Sequence, residues 1–291
     1  MEARITGTTK LYGLIGSPVG HSGSPAMQNY GFQACDVDGA YLAFDIKEDQ
    51  VPEFVKTMRL LNIQGCNVTM PCKTAAAQNM DELSPASELI GAVNTIVNRD
   101  GKLYGHITDG EGFVANLKDH GVEVKDKNIV IFGAGGAATA MQVQCSLDGA
   151  ASITIFNPRD PFFERAEKMV EKIMAKVPEC QVELYDLDAK DIMREKIDAA
   201  DILVNGTLLG MKPKEDTTVI MDTSLFHEGL VVADVVYNPK ETRLLREAKE
   251  HGCITVPGNG MLLWQGVASF KLFTGKEMPV EEVKAKFFSE V

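Results

Sequence analysis

The chain has 291 residues, enough for about two domains of ~150 residues each. Its balance of 45% hydrophobic and 24% charged residues is that of a globular protein whose core needs no disulfide or metal staple. The net charge of −12 disfavours nonspecific nucleic-acid binding, which depends on Lys and Arg neutralising phosphates. No apolar run reaches the ~18 residues of a membrane span, and residues 1–10 lack the apolar segment of a signal peptide. A cytoplasmic protein with neither nucleic acid nor membrane as partner is expected. Cysteines stand at 35, 66, 72, 145, 180 and 253 without a CxxC pair, and the histidines at 21, 106, 120, 227 and 251 include no HExxH. Buried free thiols and no metal are expected.

Short apolar runs alternate with longer amphipathic stretches, the pattern of a mostly parallel sheet wrapped by helices. Strands are predicted at 11–16, 41–46 and 63–68, with helices at 25–34 and 51–61 between them. Residues 94–97 and 103–106 flank Asp100-Gly101 and read as a hairpin, since Asp-Gly between apolar runs favours a tight turn. A helix follows at 110–121. A regular α/β alternation comes next: strands at 128–132, 152–156, 182–185, 201–205, 230–236 and 254–256, with helices at 136–147 and 162–176. Helices at 261–274 and 280–288 close the chain and are expected to pack back on the first domain.

The most informative local pattern is Gly133-Ala134-Gly135-Gly136-Ala137-Ala138, placed between an apolar strand and a helix-forming run. It fits G-x-G-x-x-(G/A). Gly133 permits the tight turn, Gly135 lets the backbone approach a pyrophosphate, and Ala138 allows close packing of helix on strand. The pyrophosphate then meets the N-terminus of a helix, whose free N–H groups and dipole favour negative charge. The second strand ends in Asn157-Pro158-Arg159-Asp160. An acid there accepts hydrogen bonds from the adenosine ribose and repels a 2′-phosphate, so Asp160 argues for NAD. Arg159 argues for NADP, because it could pair with that phosphate. Asp160 before Pro161 is also a regular helix N-cap, and the two roles are compatible.

The first half holds four polar motifs that do not read as core. His21-Ser22-Gly23-Ser24-Pro25 offers two hydroxyls at a helix start, suited to a carboxylate or to a simple cap. Asn67-Val68-Thr69-Met70-Pro71-Cys72-Lys73 puts a lysine just after a strand and a proline turn. Gly91-Ala92-Val93-Asn94-Thr95 sets two polar groups beside an apolar run. His106-Ile107-Thr108-Asp109-Gly110 places an acid where the first domain ends.

With these motifs in order, the chain resembles the shikimate dehydrogenase family over nearly its whole length, most of all its quinate/shikimate dehydrogenase branch. Asn205-Gly206-Thr207-Leu208-Leu209-Gly210-Met211, Val236-Tyr237-Asn238-Pro239 and Gly260-Met261-Leu262-Leu263-Trp264-Gln265-Gly266 extend the match. The resemblance implies two α/β domains with the active site in the cleft between them. One is an N-terminal substrate domain at 1–108, completed by helices at about 260–291. The other is a Rossmann, doubly wound dinucleotide domain at 109–259. It implies that Ser22 and Ser24 hold a substrate carboxylate, that Lys73 and Asp109 are the catalytic pair, and that Thr69, Asn94 and Gln265 bind ring hydroxyls with Tyr237 nearby. It implies that the cofactor contacts Ala134, Gly135, Gly136, Ala137, Asn157, Asp160, Thr207, Leu208, Val235 and Gly258. The substrate it implies is a small cyclic hydroxy acid. A homodimer is compatible with the sequence, which does not set the oligomeric state.

Three departures stand out. NADP-using members usually carry Asn-Arg-Thr and a following base where this chain has Asn157-Pro158-Arg159-Asp160. The family's Asn-Thr-Asp is Ile107-Thr108-Asp109 here, and Gly23 replaces the usual Leu or Lys between the serines.

The implied reaction is reversible alcohol oxidation, in which a general base within ~3 Å must take the hydroxyl proton. Lysine is charged near neutrality and a neighbouring carboxylate favours that charge. Either a neutral Lys73 takes the proton, or a charged Lys73 stabilises the alkoxide while Asp109 or water relays it. Rival readings are an NADP-dependent biosynthetic shikimate dehydrogenase, a non-catalytic sensor of shikimate or quinate, and a tetrahydrofolate or other Rossmann dehydrogenase. Retention of Lys73 and Asp109 argues against the sensor. Ser22, Ser24 and Gln265 argue against the last.

Overall fold

The computed structural model describes residues 5–288. They divide into two compact units, one of residues 5–108 with 265–288 and the other of residues 109–264.

The first unit opens β1 (Lys10–Gly16), α1 (Ser24–Ala34), β2 (Gly39–Asp45), α2 (Val51–Leu60), β3 (Gly65–Val68). It continues α3 (Lys73–Ala77), β4 (Glu82–Leu83), α4 (Pro85–Ile90), β5 (Thr95–Arg99), β6 (Lys102–His106). Its sheet runs β2-β1-β3-β5-β6-β4, with β2, β1 and β3 parallel and β5 antiparallel to both its neighbours. The β5–β6 turn is Asp100-Gly101, both at positive φ (53° and 88°), as a tight hairpin turn requires. Ile15, Val68, Ile96 and Leu103 from this sheet bury against Val51, Val55 and Met58 of α2, which are spaced on one helical face.

The second unit comprises α5 (Asp109–Asp119), β7 (Asn128–Phe132), α6 (Gly136–Leu147), β8 (Ser152–Asn157), α7 (Pro161–Lys176), β9 (Gln181–Asp186). It goes on through α8 (Lys190–Asp198), β10 (Ile202–Asn205), β11 (Val231–Asp234), α9 (Arg243–Glu250), β12 (Ile254–Val256) and the start of α10 (Asn259–Thr274). Its six strands are all parallel in the order β12-β11-β10-β7-β8-β9, the doubly wound arrangement of dinucleotide-binding sheets. The central strands are continuous buried runs because helices cover both faces. The described residues close with α11 (Val280–Val283) and a π-helical turn at Lys284–Phe288, in the first unit.

Some elements differ from the sequence-based expectation. The run at 230–236 is a strand only over Val231–Asp234. The Asp234 carboxylate accepts the Val236 N–H at 2.9 Å, which takes that residue out of the ladder. The expected helix at 280–288 is one α-turn that widens into a π-turn. Helices α3, α4, α8 and α9 and the two-residue β4 lie where no element was predicted. All six cysteines are free thiols; five are buried and Cys35 is half-exposed. No helix among the described residues is long and apolar enough to cross a membrane.

Candidate active site

In the first unit, the polar motifs collect at one edge of the sheet. Strands β1 and β3 are adjacent and parallel, with Ile15 opposite Val68, so the loops that follow them leave from the same edge. The two loops are tied: Ser17 N–H donates to Met70 O (3.1 Å) and Thr69 N–H to Ile15 O (2.8 Å). The chain passes from β1 outward to β2 and returns to β3 on the other side of β1. That reversal makes the β1/β3 edge a topological switch point, where open α/β sheets bind ligands. Because β5 runs antiparallel to β3, its first residues, Asn94 and Thr95, also start at this edge.

Each predicted residue of this edge has a definite setting. Ser22 Oγ accepts the Ser24 N–H at 3.2 Å, so Ser22 stabilises the loop turn rather than capping the helix. The N-cap of α1 is Gly23 and no side chain caps it. Thr69 and Lys73 are half-buried. Lys73 is the first residue of α3, and its carbonyl accepts the Val93 N–H at 3.0 Å.

Beneath them lies a buried chain of hydrogen bonds. The Tyr41 hydroxyl donates to Asn67 Oδ1 (2.7 Å), and burial pushes that phenol far above its usual range, so it remains a donor. Asn67 Nδ2 donates to Thr95 Oγ1 (3.0 Å) and Ser269 Oγ (2.9 Å). The Thr95 and Ser269 hydroxyls bond each other at 2.8 Å. Asn94 Oδ1 accepts from Thr108 N–H (2.8 Å) and Thr95 Oγ1 (3.0 Å). The Thr108 hydroxyl donates to Gln265 O at 3.1 Å, and this bond together with those of Asn67 and Thr95 to Ser269 registers α10 against the sheet. Asn94, Gln265 and the backbone leading into Asp109 are therefore fixed by one network, and the low dielectric around it makes each lost partner costly.

In the second unit, Asp109 opens α5, and Tyr237 is exposed just beyond β11. The remaining predicted residues line the strand ends of the parallel sheet. Gly133 has φ +103°, open to glycine and strained for other residues. A Cβ there would lie 2.9 Å from Thr207 Cγ2, so the turns after β7 and β10 abut at the point where strand order reverses. Gln142 Nε2 donates to Gly133 O at 3.0 Å and holds the turn from within α6. Ala134 is buried and Ala137 half-buried. The twelve-residue α6 begins at the N-cap Gly135 with no side-chain cap. A Cβ on Gly135 or Gly136 would meet nothing within 4 Å. An uncapped helix N-terminus behind an open glycine cradle fits the diphosphate of a dinucleotide.

Asn157 ends β8, and its Nδ2 donates to Asp160 Oδ1 at 3.0 Å. Asp160 caps α7, with Oδ1 also accepting Phe162 N–H (2.9 Å) and Phe163 N–H (3.2 Å). All three bonds fall on one oxygen. Arg159 does not stand alone at this turn: its Nε pairs with Asp186 Oδ2 at 2.9 Å.

After β10, Asn205 Oδ1 accepts Thr207 N–H (3.0 Å) and the Thr207 hydroxyl (2.7 Å), while Leu208 stays exposed. Asn205 Nδ2 donates to Asp234 Oδ1 at 2.9 Å. Asp234 also accepts the Thr242 hydroxyl at 2.7 Å, and burial pushes its carboxyl up to about 6 against these donors. Gly258 packs so closely on the end of β11 that a Cβ would lie 2.6 Å from the Val235 backbone. Val235 and Gly258 are thus brought together.

Asn67, Ser269, Asn205, Asp234 and Gln142 carry supporting bonds without a role assigned to them from the sequence, and Thr95, noted there only as a polar group beside Asn94, joins them. The signal open to a reader was a lone polar residue inside an apolar run, as in Val231-Val232-Ala233-Asp234.

Residues 14–96 match the model of the shikimate dehydrogenase substrate binding domain, and residues 258–286 that of the shikimate 5′-dehydrogenase C-terminal domain. The chain is 47% identical over 285 residues to a shikimate dehydrogenase (NADP(+)) of Listeria monocytogenes, covering 98% of each chain. It is 42% identical over 280 residues to a quinate/shikimate dehydrogenase of Escherichia coli, covering 96% of this chain and 97% of the relative. The crystal structure of shikimate 5-dehydrogenase from Listeria monocytogenes in complex with shikimate and NAD superposes with a TM-score of 0.95 at 46% identity over 98% of both chains. The chain belongs to the shikimate dehydrogenase family, a family of oxidoreductases.

Proposed function

We propose that this protein catalyses NAD-dependent interconversion of shikimate or quinate with the ketones 3-dehydroshikimate or 3-dehydroquinate. The observation that carries the cofactor half of this reading is the turn at 157–160. Asp160 uses Oδ1 for all three of its bonds to Asn157, Phe162 and Phe163, so Oδ2 is the oxygen presented to a ribose. Its charge opposes a 2′-phosphate, and Arg159, which could serve that phosphate, is paired with Asp186. Ala134, Gly135, Gly136 and Ala137 are assigned to the diphosphate, and Thr207, Leu208, Val235 and Gly258 to the remainder of the cofactor.

For the substrate, Ser22 and Ser24 are assigned to the carboxylate, and Thr69, Asn94, Gln265 and Tyr237 to the ring hydroxyls. Lys73 and Asp109 are assigned as the catalytic pair, supported by the network that fixes Asn94 and Thr108. Val93 N–H bonds Lys73 O, and Thr108 N–H bonds Asn94 Oδ1, so the segment between Lys73 and Asp109 is stitched at both ends. Bound nicotinamide supplies the hydride exchange at the carbinol carbon. In ketone reduction, the ammonium of Lys73 donates a proton to the carbonyl oxygen as it becomes a hydroxyl. In alcohol oxidation, the same Nζ and the Asp109 carboxylate hold that hydroxyl and lead its proton away. The Ser22 and Ser24 hydroxyls orient the ring by its carboxylate.

Asp160→Ala tests the cofactor assignment. The NAD-to-NADP ratio of kcat/KM is expected to fall about 10-fold, as loss of a hydrogen bond to a charged group implies. An unchanged ratio would leave Asp160 as a helix cap only. The second reading, NADP-dependent turnover, is favoured by the name of the Listeria relative at 47% identity.

A further inference from the structure

We infer that Asp186 is a positioning residue for cofactor choice: it holds Arg159 away from service to a 2′-phosphate. The inference rests on the reading above, in which the turn at 157–160 receives the adenosine ribose. Asp186 is the last residue of β9 and stands opposite Asn157 in the β8–β9 register, beside that turn. Its two oxygens have separate tasks. Oδ1 accepts the Asp188 N–H at 3.0 Å, which fixes the carboxylate at the strand end. Oδ2 takes Arg159 Nε at 2.9 Å. The guanidinium also lies over the Phe163 ring, 4.7 Å from its centroid. Arg159 is thereby held from two sides.

The surroundings reinforce the effect. Arg159, Asp160, Phe163, Glu164 and Glu167 line one surface recess, in which Arg159 is the only cation. With Asp186 attached to it, the arginine's charge is already balanced, and the nearby Asp160, Glu164 and Glu167 leave the recess acidic. A phosphate monoester entering here meets an arginine whose Nε and charge are already engaged by Asp186, which weakens its attraction to the remaining guanidinium N–H groups. An unphosphorylated ribose does not depend on that attraction. Asp186 touches neither cofactor nor substrate in this scheme. It acts through Arg159.

The pair is partly solvated, with the Arg159 side chain 69% and the Asp186 side chain 28% exposed, so its effect should be modest. In Asp186→Asn, the amide oxygen keeps the Asp188 turn while the charge is lost. The ratio of KM for NADP to KM for NAD is expected to fall about 5-fold, the upper range for an exposed ion pair. The change should lie in KM rather than kcat, and KM for NADP should rise more steeply with salt than in the parent, because a freed arginine is screened. The gain should vanish in the double variant Arg159→Ala with Asp186→Asn. An unchanged ratio in Asp186→Asn overturns the inference, as does a gain that survives the loss of Arg159. The reading beneath it fails separately: a parent enzyme that prefers NADP refutes the NAD assignment. If that preference is lost in Arg159→Ala alone, Asp186 does not withhold the arginine and the inference falls as well.

Discussion

Lys73→Ala is expected to lower kcat at least ~100-fold, the low end of general acid–base effects, in a protein that still folds. The two halves of this expectation have separate grounds. Folding should survive because the side chain beyond Cβ is not part of the core. Cys72, Ala76 and Ala77 supply the buried contacts of that segment, and the Val93 N–H bond to Lys73 is to the main chain. Alanine also has the highest intrinsic helix propensity, so the substitution does not weaken α3. Turnover should fail because α3 offers no comparable acid in its place; beside Lys73 it carries only the weakly acidic Thr74 hydroxyl and three alanines. Circular dichroism and a thermal melt establish the fold, and steady-state kinetics in the reduction direction read the loss. Near-normal turnover in a folded variant would remove Lys73 from the mechanism.

The second large effect concerns pH and stability. Burial raises the Asp234 carboxyl to about 6, although Thr242, Val236, Asn205 and Val235 all donate to it. An unfolded aspartate titrates near ~3.9. The folded protein therefore holds this proton more tightly than the unfolded chain. The stability that follows is full below pH ~4 and is lost as pH rises through about 6. The span of roughly two pK units corresponds to about 3 kcal/mol. Asp234→Asn removes the titration while keeping the shape. Denaturant melts at pH 4 and pH 7 should show wild type losing up to about 3 kcal/mol relative to the variant across that interval. Parallel curves would mean that Asp234 keeps an ordinary acidity.

The dinucleotide half was legible in the sequence because its signals are local. Gly133, Gly135 and Ala138 follow one another within six residues, between a strand and a helix that each declare themselves by period. Asp160 before Pro161 announced the start of α7, and Asp100-Gly101 announced the β5–β6 turn. Helices α3 and α4 were missed because five and six residues give too little of a 3.6-residue period to see. The support beneath the substrate edge was hidden for a different reason. Asn67 reaches Ser269 across 202 positions and Thr95 reaches it across 174, pairings that exist only once α10 packs on the sheet. The Arg159–Asp186 pair belongs to the same class: it depends on the β8–β9 register, which no local pattern encodes. Motif spacing thus located the residues assigned to ligands, while the bonds that hold them in place required the fold.

Hydride exchange between NAD and a cyclic hydroxy acid is read out by a four-way steady-state assay. Shikimate and quinate are each supplied with NAD and with NADP at equal concentration. Turnover is expected with at least one of the two acids, with a higher kcat/KM for NAD than for NADP. A higher kcat/KM with NADP would contradict the reading of Asp160, and tight binding of shikimate without turnover under any of the four conditions would contradict catalysis itself.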